Sequence, residues 1–93
     1  MKQIESNETE ILGHSIIVQG KIIDNDTTQR IFELVSRYLI KLNHDQSGWD
    51  TLYRDPKDGR LWELFYPLSE IQGGGPPSLI VISLDKAIIK YTI

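Results

Sequence analysis

The fold turns on Trp49-Asp50-Thr51-Leu52-Tyr53-Arg54-Asp55-Pro56-Lys57-Asp58-Gly59-Arg60-Leu61-Trp62-Glu63-Leu64-Phe65-Tyr66. Two runs rich in aromatic and aliphatic residues flank Asp55–Gly59, whose chemistry is that of a turn: Asp opens it, Pro fixes φ, and Gly accepts a positive φ. Gln46-Ser47-Gly48 breaks the chain before the first run, and Pro67 ends the second. Residues 48–66 therefore read as a β-hairpin. If Pro56–Gly59 form the loop, Asp55 stands opposite Arg60, Tyr53 opposite Trp62, Thr51 opposite Leu64 and Trp49 opposite Tyr66. That register puts four aromatics on one face. The other face carries Asp50, Leu52 and Arg54 against Phe65, Glu63 and Leu61. A slip of one residue would mix aromatic with charged positions, so the four-residue loop is favoured.

Upstream of the hairpin, Ile31, Leu34, Val35, Tyr38, Leu39 and Leu42 recur at the spacing that lines one face of a helix. The reading is a long helix over residues 27–43, with Asp26 as N-cap, Gln29 completing a capping box, and Lys41 and His44 at the negative end of the dipole. Before it, β-branched clusters around Gln19-Gly20 predict strands near His14–Gln19 and Lys21–Asp24. After the hairpin, residues 69–77 form a Gly- and Pro-rich loop. Leu79-Ile80-Val81-Ile82 is a continuous apolar run suited to an interior strand. Ser83 is placed to cap a short C-terminal helix over Leu84–Tyr91, although Ile88, Ile89 and Ile93 would also suit a strand. The expectation is an α+β fold: a small, mostly antiparallel sheet of three to five strands, with the long helix packed on one face.

The chain has 93 residues, 40% of them hydrophobic and 25% charged. This is material for one core, and residues 1–93 are expected to form one domain. Residues 1–10, with three glutamates, are the one candidate for disorder. They lack the basic start and apolar run of a secretory signal. No apolar run approaches the ~20 residues that span a bilayer. With no cysteine, disulfides and thiolate metal sites are excluded, which suits a reducing compartment. The formal charge is −3, from ten Lys and Arg against thirteen Asp and Glu. Such a domain is repelled by phosphate backbones and attracts basic proteins, although the same charge serves mere solubility.

The residues that carry chemistry are few. His14 and His44 are the only histidines, and neither has a second ligand at helical spacing. No Gly-x-Ser-x-Gly elbow is present. Glu63, in mid-strand between Trp62 and Leu64, is either a buried acid with a raised pKa or, more simply, the partner of Arg54 or Arg60 on a sheet face. Gly73-Gly74-Gly75 is followed by two prolines and a strand rather than by a helix N-terminus, which argues against a phosphate loop. The aromatic face would stack bases only beside a basic groove, which the hairpin's acids oppose. As the core beneath the helix, the aromatics serve the fold; left open, they suit a protein partner. No cofactor or metal is expected.

The stretch from Gly48 to Leu64, followed by Tyr66-Pro67 and Gly73-Gly74-Gly75-Pro76-Pro77, resembles a family of bacterial immunity proteins from polymorphic toxin systems, the immunity protein 27 family. Upstream, Glu8-Thr9-Glu10 with Gly13, Gly20-Lys21 and the helix containing Arg30-Ile31 look similar as well. The resemblance implies a small, cytoplasmic, non-enzymatic protein that neutralises the toxin encoded beside it, by occluding its active site or a surface it needs. An acidic chain would suit a basic nuclease toxin. A final helix of family type would be short in this chain, which ends at Ile93 soon after its last apolar run. Trp49, Tyr53, Pro56, Gly59, Trp62, Tyr66, Gly74 and Pro76 are expected to serve the fold. Asp50, Asp55, Asp58, Arg60, Glu63 and Glu70, as turn and strand-face charges expected to be exposed, are the candidates for toxin contact. Two other readings stay open from the residues themselves. One is a small acid–base enzyme using Glu63 and a histidine; the other is a peptide-binding adaptor using the aromatic face.

Overall fold

A computed structural model describes residues 2–19, 21–24, 26–67 and 75–92. Its elements are β1 (Glu10–Leu12), β2 (Ser15–Val18), β3 (Lys21–Asp24), α1 (Asp26–Arg37), β4 (Ile40–His44), β5 (Thr51–Arg54), β6 (Leu61–Phe65), β7 (Ser78–Ile82) and α2 (Leu84–Tyr91). The hairpin has the expected register, pairing Thr51 with Leu64, Leu52 with Glu63, Tyr53 with Trp62 and Arg54 with Leu61. The Asp55 amide donates to Arg60 O at 2.9 Å. Gly59 takes φ +78°, the left-handed conformation the turn requires. Around this hairpin an antiparallel five-stranded sheet forms in the order β1-β7-β6-β5-β4, and β2 and β3 pair as a separate hairpin. The apolar run at 79–82 is the interior strand it was expected to be, lying between β1 and β6.

The helix expected over 27–43 is corrected at both ends. Asp26 is its first residue rather than its cap, where a negative charge still suits the positive end of the dipole. At the other end the helix stops at Arg37. The Tyr38 and Leu39 amides both close onto Leu34 O, at 3.0 and 2.7 Å, and residues 40–44 leave as β4. The cause is non-local. β5 would otherwise expose an unpaired edge, and pairing with Ile40–His44 satisfies that side of its backbone, leaving β4 as the edge strand. Leu39 still turns into the core, 6% exposed, but Leu42 falls at an irregularity in the pairing and is 40% exposed.

Strand alternation sorts the side chains into two layers. On one face Tyr53, Trp62, Leu64 and Leu79 pack with Ile31 and Leu34 of α1, joined by Ile4, Ile11 and Leu39. On the other face Leu52 packs with Ala87 and Tyr91 of α2, flanked by Leu61 and Ile82. The short final helix forms as expected: Ser83 caps it by accepting from the Lys86 amide at 3.3 Å, and Thr92, at φ 57°, closes it. The N-terminal segment packs against the sheet and α1. Ile4 is buried, Glu8 pairs with Arg30 at 2.7 Å, and Thr9 O accepts from the Val81 amide. Gly13 passes so near β7 that a Cβ there would lie 2.1 Å from Pro77 O. Among the described residues, no helix is long and apolar enough to cross a membrane.

Candidate functional site

The charges expected at the surface are mostly committed inside the chain. Asp55 is only 2% exposed, which corrects its expected exposure. Its carboxylate accepts from the Tyr38 hydroxyl at 2.5 Å and the Lys57 amide at 2.8 Å. Burial, and then this bond to Asp55, push the Tyr38 hydroxyl up to about 12. Asp58 grips Arg60 at 2.7 Å; the Arg60 amide, more than its guanidinium, holds the Asp58 carboxyl below the usual range. Arg60 reaches on to the carbonyls of Glu8 at 2.5 Å and Glu5 at 3.2 Å, and stands 5.2 Å from the centre of the Trp62 ring. It thereby staples the N-terminal segment to the hairpin.

Glu63 pairs with neither Arg54 nor Arg60, another correction. It accepts from the Tyr91 hydroxyl at 2.6 Å and from Lys90 Nζ at 2.6 Å, and Lys90 also reaches Asp50 at 2.7 Å. Burial alone would lower Lys90, but its bonds to Asp50 and Glu63 outweigh that and raise it. Burial, followed by the bond to Glu63, raises the Tyr91 hydroxyl well above its ordinary value. The network fastens the last turn of α2 to the sheet, and Asn43 of β4 adds a bond to Tyr91 O at 2.6 Å. Among the described residues, neither histidine hydrogen-bonds to Glu63. The His44 ring lies against Asp45 O at 2.9 Å, and the His14 backbone is bonded to Thr28 Oγ1. No group of His, Cys, Asp or Glu among the described residues could hold a metal ion.

The aromatic face divides. Tyr53 and Trp62 lie in the core beneath α1, 7% and 0% exposed, whereas Trp49 is 51% exposed. Trp49 stands edge-on to half-buried Tyr66, with ring centroids 5.5 Å apart at 77°. The segment that presents Trp49 is held by Asp45, whose Oδ1 accepts from Ser47 Oγ at 2.7 Å and from the amides of Gly48 at 3.0 Å and Asp50 at 3.3 Å. These bonds outweigh the opposing effect of burial and hold the Asp45 carboxyl below its ordinary range. Gly48, at φ +78°, and the Trp49 amide, bonded to Ser47 Oγ at 3.1 Å, complete the loop. From sequence Tyr38 was read only as part of the apolar face of the helix, and Asp45, Lys90 and Tyr91 carried no assigned role. Asp45-Gln46-Ser47-Gly48 carries the signal for the loop, because an Asp side chain commonly bonds amides a few residues ahead. Pro56 is exposed and Pro76 half-buried; Glu70 and Gly74 lie outside the described residues.

A sheet braced on both faces, with the acids of its hairpin bonded into the scaffold and one tryptophan displayed on a stiff loop, has the make-up of a small binding domain. The chain belongs to the immunity protein 27 family, whose model matches residues 17–83, from β2 to the cap of α2. No curated protein and no solved structure matches it.

Proposed function

We propose that this chain is an antidote: it binds a cognate toxin domain encoded beside it and neutralises that toxin in the cytoplasm of the producing cell, with no cofactor. Membership of the immunity family supports the reading, and the observation that carries it is Trp49. A large aromatic half in solvent, held against Tyr66 by a loop with its own hydrogen-bond frame, loses little conformational freedom on contact with a partner. Asp50 adjoins it and belongs to the polar rim of the same contact, while Asp58 and Arg60 crown the far end of the hairpin as further rim charges. Rim charges act more on association rate than on affinity. The net charge of −3 favours encounter with a basic toxin such as a nuclease.

The test is calorimetric titration of the C-terminal domain of the protein encoded immediately upstream. The wild type is expected to bind it stoichiometrically with nanomolar Kd. Trp49→Ala should weaken binding about 30-fold, the effect of losing a ~2 kcal/mol anchor, while changing unfolding stability by less than ~0.5 kcal/mol. Absence of binding by the wild type would overturn the reading.

A further inference from the structure

We propose that the toxin docks along the open edge of β4, by adding an extended segment with acidic side chains as a sixth strand. This rests on the function proposed above and specifies its contact surface. β4 pairs with β5 on one side, and no strand among the described residues pairs with the other. Ile40, Lys41, Leu42 and His44 are exposed, the two aliphatics by 41% and 40%. The opposite edge, β1, offers three residues, one of them buried. A free edge supplies a partner with main-chain hydrogen bonds, and the alternating side chains beside it set the choice of partner.

The charges choose the partner. Among the described residues Arg37, Lys41, Arg54 and Lys57 form no ion pair. They lie around one end of the β4–β5 ladder, on both faces of the sheet: Arg37 ends α1, Lys41 stands opposite Tyr53 on the α1 face, Arg54 stands opposite Ile40 on the α2 face, and Lys57 is in the adjoining hairpin turn. The hairpin's acids, in contrast, are spent on Arg60, Lys90, Tyr38 and Tyr91. Of the unpaired acids, Glu5 lies in the N-terminal segment held by Arg60, and Glu10 on β1 at the other edge of the sheet. Asp26 lies at the far end of α1, Glu33 one turn before Arg37, and Asp85 at the start of α2. The end of the edge at Ile40–Lys41 is therefore basic on both faces of an otherwise acidic protein, and an extended segment, whose side chains alternate between the faces, can answer both.

Apolar side chains line one flank of this end. Leu84, 59% exposed, shares a hollow with Arg54, and Ile88, 44% exposed, follows one turn later on α2. An edge lysine and an irregularity in pairing commonly protect a strand from unselective association. Beside three further cations the same lysine becomes a filter that admits an acidic strand. A second copy of this chain is disfavoured, because edge-to-edge pairing would bring both sets of cations together.

The experiment is amide hydrogen exchange on the full chain, alone and saturated with the C-terminal domain of the protein encoded immediately upstream, with affinities measured in parallel. Amides 40–44 should slow in the complex. Lys41→Glu combined with Arg54→Glu should weaken binding at low salt by about ten-fold or more, and reduce its salt dependence. Tight binding with amides 40–44 exchanging as in the free chain would overturn this docking mode and leave the antidote function standing. No binding by the wild type would overturn both. Concentration-dependent protection of 40–44 in the chain alone would assign the edge to a second copy and overturn the acidic-strand partner.

Discussion

Replacing Tyr38 by Phe removes one oxygen and tests whether the Asp55 turn belongs to the scaffold. The ring keeps its place against the core, but the 2% exposed Asp55 carboxylate loses the Tyr38 donor and keeps the Lys57 amide. A hydrogen bond to a charged acceptor contributes ~1.5–3 kcal/mol, and a buried carboxylate short of a donor bears the desolvation cost. The expected loss is therefore about 2 kcal/mol. For a chain of this size that is a fall in Tm of about 10 °C, and with an m-value of ~1 kcal/mol per molar it moves the urea midpoint by about 2 M. Urea unfolding of wild type and variant at pH 7 measures it, with Asp50→Asn as a partly exposed comparison expected to cost less than ~1 kcal/mol. Alkaline titration gives a second readout. The Tyr38 hydroxyl ionises near 10 when unfolded and about 12 when folded. Its contribution is thus fully present below pH 10 and disappears as pH rises through 12; Tyr38→Phe should shrink that alkaline loss. A variant within ~0.5 kcal/mol of wild type would refute the reasoning that the Tyr38–Asp55 bond supports the scaffold.

Gly13→Ala should destabilise by about 2 kcal/mol or more in urea unfolding, because its Cβ would lie 2.1 Å from Pro77 O and 2.9 Å from Thr28 Oγ1. Acid should loosen the N-terminal segment. The Arg30 guanidinium holds Glu8 down from 4.5 to about 2, so its contribution is full above pH 4.5 and is lost as pH falls through 2. After screening at this partly exposed pair the loss is about 1 kcal/mol, and Glu8→Gln should remove that pH dependence. Glu63→Gln should lower stability by ~1–2 kcal/mol in the same assay, since Tyr91 and Lys90 both donate to the carboxylate. An unchanged melting temperature would instead free Glu63 for a chemical role.

The hairpin was legible because its two controls are local. Turn chemistry at Asp55–Gly59 sets the loop length, and loop length sets which side chains share a face. α2 was legible for a similar reason, Ser83 standing immediately before it. Residues 40–44 misled because Leu39 and Leu42 satisfy a helical period that the chain does not use. The decision belongs to β5, whose need for a neighbour appears in no window around Ile40. The candidate site was harder to read, since exposure depends on distant partners. Asp55 is covered by a tyrosine 17 residues upstream, and Glu63 is claimed by one 28 residues downstream. From sequence Asp55 was a turn acid expected at the surface, and Glu63 was either a buried acid or a sheet-face partner of Arg54 or Arg60. Trp49 and Trp62 were equivalent members of one face, yet α1 shelters one and leaves the other open. The cations at the open edge were invisible for the same reason, because Lys41 reaches the end of the sheet that holds Arg54 only once β4 has left the helix.

The central claim is neutralisation of a toxin, and co-expression tests it most directly: growth of cells producing the upstream-encoded C-terminal domain, with and without this chain. The account predicts that the domain arrests growth, that the wild-type chain restores it, and that Trp49→Ala restores it only at higher expression. Growth arrest that persists in the presence of folded, abundant wild-type chain would contradict it.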